Sequence, residues 1–396
     1  MKFVHSADWQ LGARFAQFAE RAPRLRATRV QTLSRTLALA AERNADAFLI
    51  ENELVDEVVA LFADYPDLAI LILPGNHDPY SGPDSIWDRK QFLEAPSHIR
   101  VFREPGSWET NGVHFVASPL QQKVSTLDPS LRLQSLAGGL PAAAIKVGMT
   151  HGAIAIPGKH QANDFPISLD AASRAGLDYL AVGHWHQWQV YDDDRLMMPG
   201  TPEPDNFGQD QAGHVAFVEL TEQGEKPLIE KVSIRSLSWE RLSFDLTDEA
   251  QARRGVQSAI DEVSKGLENT VFRVVLTGAA TPERLDAVKA WLKEQMASAF
   301  ICQVRDESEV MLSAQELEAI TQEHPLVDQV LRDLESIQQL LGGARESDET
   351  QRVATLNLGE LQSLLDEARI PLSELEADHI KRARQSVIHK LRESMS

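Results

Sequence analysis

The stretch Ala69-Ile70-Leu71-Ile72-Leu73-Pro74-Gly75-Asn76-His77-Asp78 decides how the chain is read. Ala69 to Leu73 is a run of five apolar residues, the signature of a short strand buried on both faces. Pro74-Gly75 ends the ladder and bends the backbone. An amide, an imidazole and a carboxylate follow at once. In open α/β sheets, ligands bind at the carboxyl ends of strands, so these side chains suit a metal and a phosphate. A polar turn chosen for its geometry accounts for the same residues equally well.

Three other segments share the pattern. The strand-like Lys2–His5 runs into Ser6-Ala7-Asp8-Trp9-Gln10-Leu11-Gly12. Ala144–Met149 ends in Thr150-His151-Gly152, and Tyr179–Val182 ends in Gly183-His184-Trp185-His186. A lone His is more often a hydrogen-bonded core or surface residue than a ligand. Here His77, His151, His184 and His186 each follow an apolar strand and lie close to a glycine, which makes coincidence a poor explanation. With Asp8, Gln10, Asn76 and Asp78 they form a donor set of imidazole, carboxylate and amide oxygen without thiolate. Such a set suits manganese, iron or zinc, and it is large enough for two ions. A two-metal site clamps the attacking and leaving oxygens of an in-line phosphoryl displacement, and a protonated His beside it serves as general acid.

Composition bounds the rest. The chain has 396 residues, a net charge of −20 and one cysteine. It has room for two domains and a smaller third unit. A single cysteine, Cys302, excludes an internal disulfide and fits a reducing compartment. No apolar run is long enough to span a bilayer, and the first residues lack a signal peptide's apolar core, so the expected location is cytoplasmic. The acidic balance argues against a passive nucleic-acid binder, which is usually basic. A DNA contact requires a local patch, and the tract containing Arg14, Arg21, Arg24, Arg26, Arg29 and Arg35, opposed only by Glu20, is the candidate. A solvated helix face is the plainer reading of that tract. Core packing is the plainer reading of Trp9, Trp185 and Trp188.

Periodicity predicts a helix over Arg24–Glu42 and strands at Ala45–Ile50 and Val113–Ser118. It predicts short helices over Asp88–Glu94 and Leu169–Ala175, the latter with Ser168 as N-cap, and a hairpin of His214–Leu220 with Leu228–Ile234. Glu51–Phe62 reads as helical with no loop after Ile50, although a strand normally needs ~2–6 residues before its helix. A first domain therefore spans residues 1–238. Residues 239–312 read as a small α+β unit, with helices at Ala250–Leu267 and Pro282–Met296 and strands at Val271–Leu276 and Ala299–Val304. Residues 313–396 read as helices, which suit docking on the main body or on a partner helix.

The motif set resembles the calcineurin-like metallophosphoesterases and is similar to their SbcD/YhaO-type DNA repair nucleases. The likeness covers residues 1 to about 236 and includes Pro199-Gly200-Thr201-Pro202-Glu203-Pro204. It implies an α/β fold class: a metallophosphoesterase β-sandwich flanked by helices, a small α+β capping domain, and a helical C-terminal region where an SbcC-like coiled-coil ATPase binds. It implies a metal-dependent DNA exonuclease with two divalent ions, manganese foremost, with iron or zinc as alternatives. Its expected partners are DNA, the ATPase and a second copy of the chain. By the resemblance, Asp8 and His186, with Gln10, hold the first metal. Asn76, His151 and His184 hold the second. His77 is the general acid, and Asp78 orients His77 or fixes the turn.

The chain departs from the family twice. Gln10 stands where most relatives have His. The Gly-Asp motif after the second strand, whose Asp bridges both metals, is absent, and the chain is about ten residues short at Ile50–Glu51 by usual βα-loop lengths. A mobile loop lost from the printed sequence is favoured over a true deletion, with Glu51 or Glu53 as substitute bridge a third option. The competing functions are a small-substrate phosphatase or phosphodiesterase, and a silent scaffold for the ATPase.

Overall fold

The computed structural model describes residues 1–51, 55–82, 84–159, 161–263, 265–310 and 325–341, with positions 380 and 383. The chain divides into two compact units, residues 1–240 with 264–271, and 241–263 with 272–396.

The first unit is built on two six-stranded sheets. Its strands in chain order are β1 (Lys2–Ser6), β2 (Ala47–Glu51), β3 (Ala69–Leu73), β4 (Ile99–Val101), β5 (Gly106–Thr110) and β6 (Val113–Ser118). They continue with β7 (Ile145–His151), β8 (Tyr179–Gly183), β9 (Gln189–Tyr191), β10 (Leu196–Met198), β11 (His214–Glu219) and β12 (Leu228–Ser233). The first sheet runs β12-β11-β1-β2-β3-β4 and the second β5-β6-β7-β8-β10-β9. In the first, β1, β2, β3 and β4 are parallel neighbours. In the second, β6, β7 and β8 are parallel too. Their carboxyl ends therefore point one way within each sheet.

Side chains alternate across a strand, and here both faces are covered, so the strands read as continuous apolar runs. Phe3, Leu49, Leu71, Phe115, Met149 and Tyr179 fill the space between the sheets. Val4, Phe48, Ile50, Ile70 and Ile72 face outward onto helices α1 (Ala22–Glu42) and α2 (Val58–Ala63). After the short α3 (Lys90–Leu93), helices α4 (Leu131–Gly138) and α5 (Ala171–Ala175) cover Val116, Leu180 and Val182 on the far side. The result is a mixed α/β sandwich of two sheets flanked by helices, consistent with the calcineurin-like metallophosphoesterase fold.

Several elements differ from the sequence expectations. The helix expected from Glu51 starts at Val58, because β2 continues through Glu51, which pairs with Leu73 and accepts the Asp8 amide at 3.1 Å. Residues 55–57 form no helix, and Glu53 lies outside the described residues. The helix expected over Asp88–Glu94 is split into a 3-10 turn at Ile86–Asp88 and α3, because Arg89 between them is extended. Asp170, not Ser168, stands at the N-cap of α5. The Ser168 hydroxyl bonds the Asp170 carboxylate instead. β5 was not anticipated, since Trp108 is its one large apolar side chain.

The second unit holds a three-stranded sheet, β13 (Ser238–Asp245), β14 (Thr270–Thr277) and, beyond the short β15 (Ala279–Ala280), β16 (Ile301–Asp306), in the order β13-β14-β16. β15 pairs with β17 (Glu309–Val310). Helices α6 (Glu249–Glu262) and α7 (Pro282–Gln295) are N-capped by Asp248 and Thr281. Phe244, Phe272, Val274, Val288 and Leu292 are buried in this unit. Cys302 is half-buried, which pushes its thiol up to about 11. A last helix, α8, spans Pro325–Leu341. The helix expected at Leu358–Leu365 lies outside the described residues, and of the one expected at Leu372–Leu391 Ile380 and Ala383 are described, both helical. No helix among the described residues is long and apolar enough to cross a membrane.

Candidate metal centre

The carboxyl ends of five strands, three from one sheet and two from the other, deliver the sequence-identified residues to one place. β1 leads to Asp8 and Gln10, β3 to Asn76-His77-Asp78, and β8 to His184 and His186, while His151 is the last residue of β7. β2 ends in Glu51.

Contacts tie the two sheets together here. The His184 amide donates to Asp8 Oδ2 at 2.8 Å. His151 Nε2 lies 3.0 Å from Asn76 Oδ1. His186 Nε2 lies 3.4 Å from the Gln10 amide nitrogen. The rings of His151 and His184 meet edge-on at 5.4 Å. Asp78 accepts the Gly75 amide at 2.8 Å and closes the turn after β3. Asp8, Gln10 and His184 have positive φ values of 53°, 54° and 133°. Backbone of this kind costs about 1–3 kcal/mol per residue and concentrates at ligand sites.

Strand alternation explains what lies beneath. His5 follows Phe3, Glu51 follows Leu49 and His151 follows Met149 on the inter-sheet face. All three side chains are fully buried. Glu51 Oε1 is 3.6 Å from His5 Nε2, and Glu51 Oε2 is 3.5 Å from His151 Nδ1, too long for hydrogen bonds. Those four atoms have no hydrogen-bond partner of normal geometry. His5 Nδ1 is 2.8 Å from the Tyr179 hydroxyl. Burial lowers the imidazoles of His5 and His151 to about 3, against the pull of the Asp8 carboxylate. Burial, reinforced by the charge of Asp8, pushes Glu51 well above the usual carboxylate range, opposed by the nearby Gly183 amide.

Two carboxylates that sequence reasoning missed hold the outer ring nitrogens. His184 Nε2 donates to Asp164 Oδ2 at 2.9 Å. His186 Nδ1 lies 3.5 Å from Asp205 Oδ2 and 3.2 Å from the amide of Gln209, which itself donates to Asp205 at 2.6 Å. Against the desolvation of its ring, Asp205 and Asp8 hold His186 above its ordinary value. An outer carboxylate fixes a histidine's tautomer and aims its other nitrogen. Neither Asp sits in a recognisable motif, so no local signal marks it. The Pro199–Pro204 segment buttresses this side. Gly200 has φ 77°, and a Cβ there would meet the His186 carbonyl at 2.9 Å.

His77 is exposed at the rim of the site. Partial desolvation, with His186, His184 and Lys123 nearby, lowers its imidazole despite the charge of Asp8. Arg14, Arg21 and Arg24 are exposed and Arg26 partly so, on the segment entering α1 and its first turns. Arg29 leaves the presumed basic face. It is buried and donates to the carbonyls of Trp9, Glu203 and Pro204 at 2.9, 2.9 and 3.0 Å. Trp9 is buried, its indole donating to Ser6 Oγ at 3.0 Å.

Among the described residues, no three His, Cys, Asp or Glu side chains are already drawn to metal-holding geometry. The donor chemistry nonetheless fits divalent cations, and the buried unpartnered atoms of His5, Glu51 and His151 mark the place.

No family model matches the chain. Over 332 residues it is 21% identical to the uncharacterized metallophosphoesterase YhaO of Bacillus subtilis (strain 168), a stretch covering 74% of this chain and 76% of that protein. That similarity and the two-sheet α/β architecture support a place for the chain in the metallophosphoesterase superfamily.

Proposed function

We propose that the chain is a metal-dependent phosphoesterase and, more specifically, a DNA nuclease subunit that works with an SbcC-like coiled-coil ATPase. The observation that carries the hydrolase reading is the convergence of Asp8, Gln10, Asn76, His77, His151, His184 and His186 at the ends of strands from both sheets. The nuclease reading rests on the motif resemblance and on the exposed Arg14, Arg21 and Arg24. Asp8, Gln10 and His186 would hold one cation, and Asn76, His151 and His184 the other. Manganese is the leading candidate, with iron or zinc as alternatives.

When bound, the cations neutralise charge on the phosphoryl oxygens and lower the pKa of water. The protein's own residues do the rest. Asp164 and Asp205 aim two of the imidazoles. The Gly75–Asp78 turn sets Asn76 and His77 side by side. His77 at the rim donates a proton to the leaving alkoxide. Its depressed pKa is offset by a bound phosphodiester, whose negative charge favours the imidazolium.

Cleavage of linear double-stranded DNA in manganese, with and without the ATPase, tests the proposal. We expect manganese-dependent cleavage that His77→Ala reduces by about 10²–10⁴-fold. The lack of a Gly-Asp carboxylate favours a second reading, a silent scaffold. Normal ATPase binding without any cleavage would establish that reading and overturn the enzyme.

A further inference from the structure

Of the three acidic side chains at the site that no motif assigns, Glu51, Asp164 and Asp205, Glu51 alone is fully buried. Its position follows from the strand. β2 continues through Glu51 in register with Leu73, so alternation turns the carboxylate to the inter-sheet face behind Leu49. That face is apolar as far as Phe3, Leu49 and Met149. An isolated ionised carboxylate is costly there unless it is paired or coordinates a metal. Glu51 is fully buried, yet neither of its oxygens has a hydrogen-bond partner of normal geometry, and the facing atoms His5 Nε2 and His151 Nδ1 have none either. The oxygen-to-nitrogen separations are 3.6 and 3.5 Å. Two atoms that share a cation at ~2.1 Å stand about 3.0–3.4 Å apart, so only a small closure separates the observed spacing from shared coordination.

Neighbouring residues keep this space open. Gly183 faces the carboxylate, and a Cβ there would meet Glu51 Oε2 at 2.8 Å and His151 Nδ1 at 2.9 Å. The Glu51 carbonyl is tied to the amide of Asp8, which fixes the end of β2 against the other presumed ligands.

We propose that Glu51 is a divalent-cation ligand, sharing its ion with the two nitrogens that face it, His5 Nε2 and His151 Nδ1, while His151 Nε2 remains turned to Asn76. This proposal rests on the phosphoesterase reading above, but it can fail alone.

The test uses the full chain, stripped of metal and then dialysed against graded manganese, with bound metal counted by mass spectrometry. Wild type, Glu51→Gln and the exposed control Glu57→Gln are compared, with circular dichroism to confirm folding. We expect wild type and E57Q to bind manganese alike, and E51Q to lose at least tenfold in affinity or one ion per chain. E51Q binding manganese like wild type would overturn the role of Glu51 and leave the phosphoesterase reading standing. Failure of wild type to bind any divalent cation would overturn both. An anomalous-difference map of manganese-soaked wild-type crystals needs no variant and decides the matter if E51Q does not fold. A peak within ~2.5 Å of a Glu51 oxygen is expected. Peaks confined to Asp8, Asn76 and the histidines would refute the proposal.

Discussion

Arg29→Met tests how the scaffold holds the site. Arg29 is 2% exposed, and its guanidinium donates to three carbonyls, those of Trp9, Glu203 and Pro204, at 2.9, 2.9 and 3.0 Å. It also lies 5.1 Å from the Phe15 ring. Methionine keeps most of the stem's packing but leaves those carbonyls without their charged donor. Hydrogen bonds to a charged group contribute about 1.5–3 kcal/mol each. Removing the buried charge itself returns part of that, so the net loss is about 3–5 kcal/mol. At about 2–4 °C per kcal/mol for a unit of this size, Tm falls by about 6–20 °C. The Trp9 carbonyl lies between Asp8 and Gln10, both in left-handed conformation, so manganese affinity falls as well. Urea and thermal unfolding of R29M, with the exposed Arg21→Met as control, give the measurement. R21M stays within about 0.5 kcal/mol of wild type. A loss below about 1 kcal/mol in R29M would refute the assignment of Arg29 as a tie between α1 and the metal centre.

Three further outcomes follow from the same geometry. In the metal-free chain, stability falls as pH drops below ~6.5, because His5 and His151, lowered to about 3 in the fold, take up protons there only in the unfolded state. Glu51, raised in the fold, keeps a proton that the unfolded chain loses above ~4.5 and so opposes part of that loss. Glu51→Gln therefore steepens the acid-side decline, and urea midpoints from pH 4.5 to 6.5 check it. Gly183→Ala places a methyl 2.8 Å from Glu51 Oε2 and 2.9 Å from His151 Nδ1. Calorimetric titration should show its manganese binding weakened at least tenfold in a chain that still folds. Asp164→Asn and Asp205→Asn each lower metal affinity or kcat/KM by about 10–100-fold through the histidines they aim, and retention of wild-type values would show those carboxylates to be incidental.

Much of this was written locally. The apolar runs 69–73 and 179–182 announce doubly buried strands, and the polar residues after each announce a shared edge. What escaped local reading depended on register or on distant packing. Glu51 looks like the first residue of a helix because Val55, Val58, Val59 and Phe62 recur at helical spacing, yet strand pairing with Leu73 claims it. Arg29 looks like part of a basic face until residues 203–204, far along the chain, accept from it. Asp164 and Asp205 carry no pattern, since each acquires meaning only when a loop folds back onto a histidine of the β8 end.

The most direct test of the central claim is hydrolysis of a simple phosphodiester, bis-p-nitrophenyl phosphate, by the purified full chain. Turnover should appear with manganese, vanish with chelator, return when manganese is restored, and disappear in His151→Ala. No turnover above the protein-free rate in manganese, iron or zinc would contradict the account.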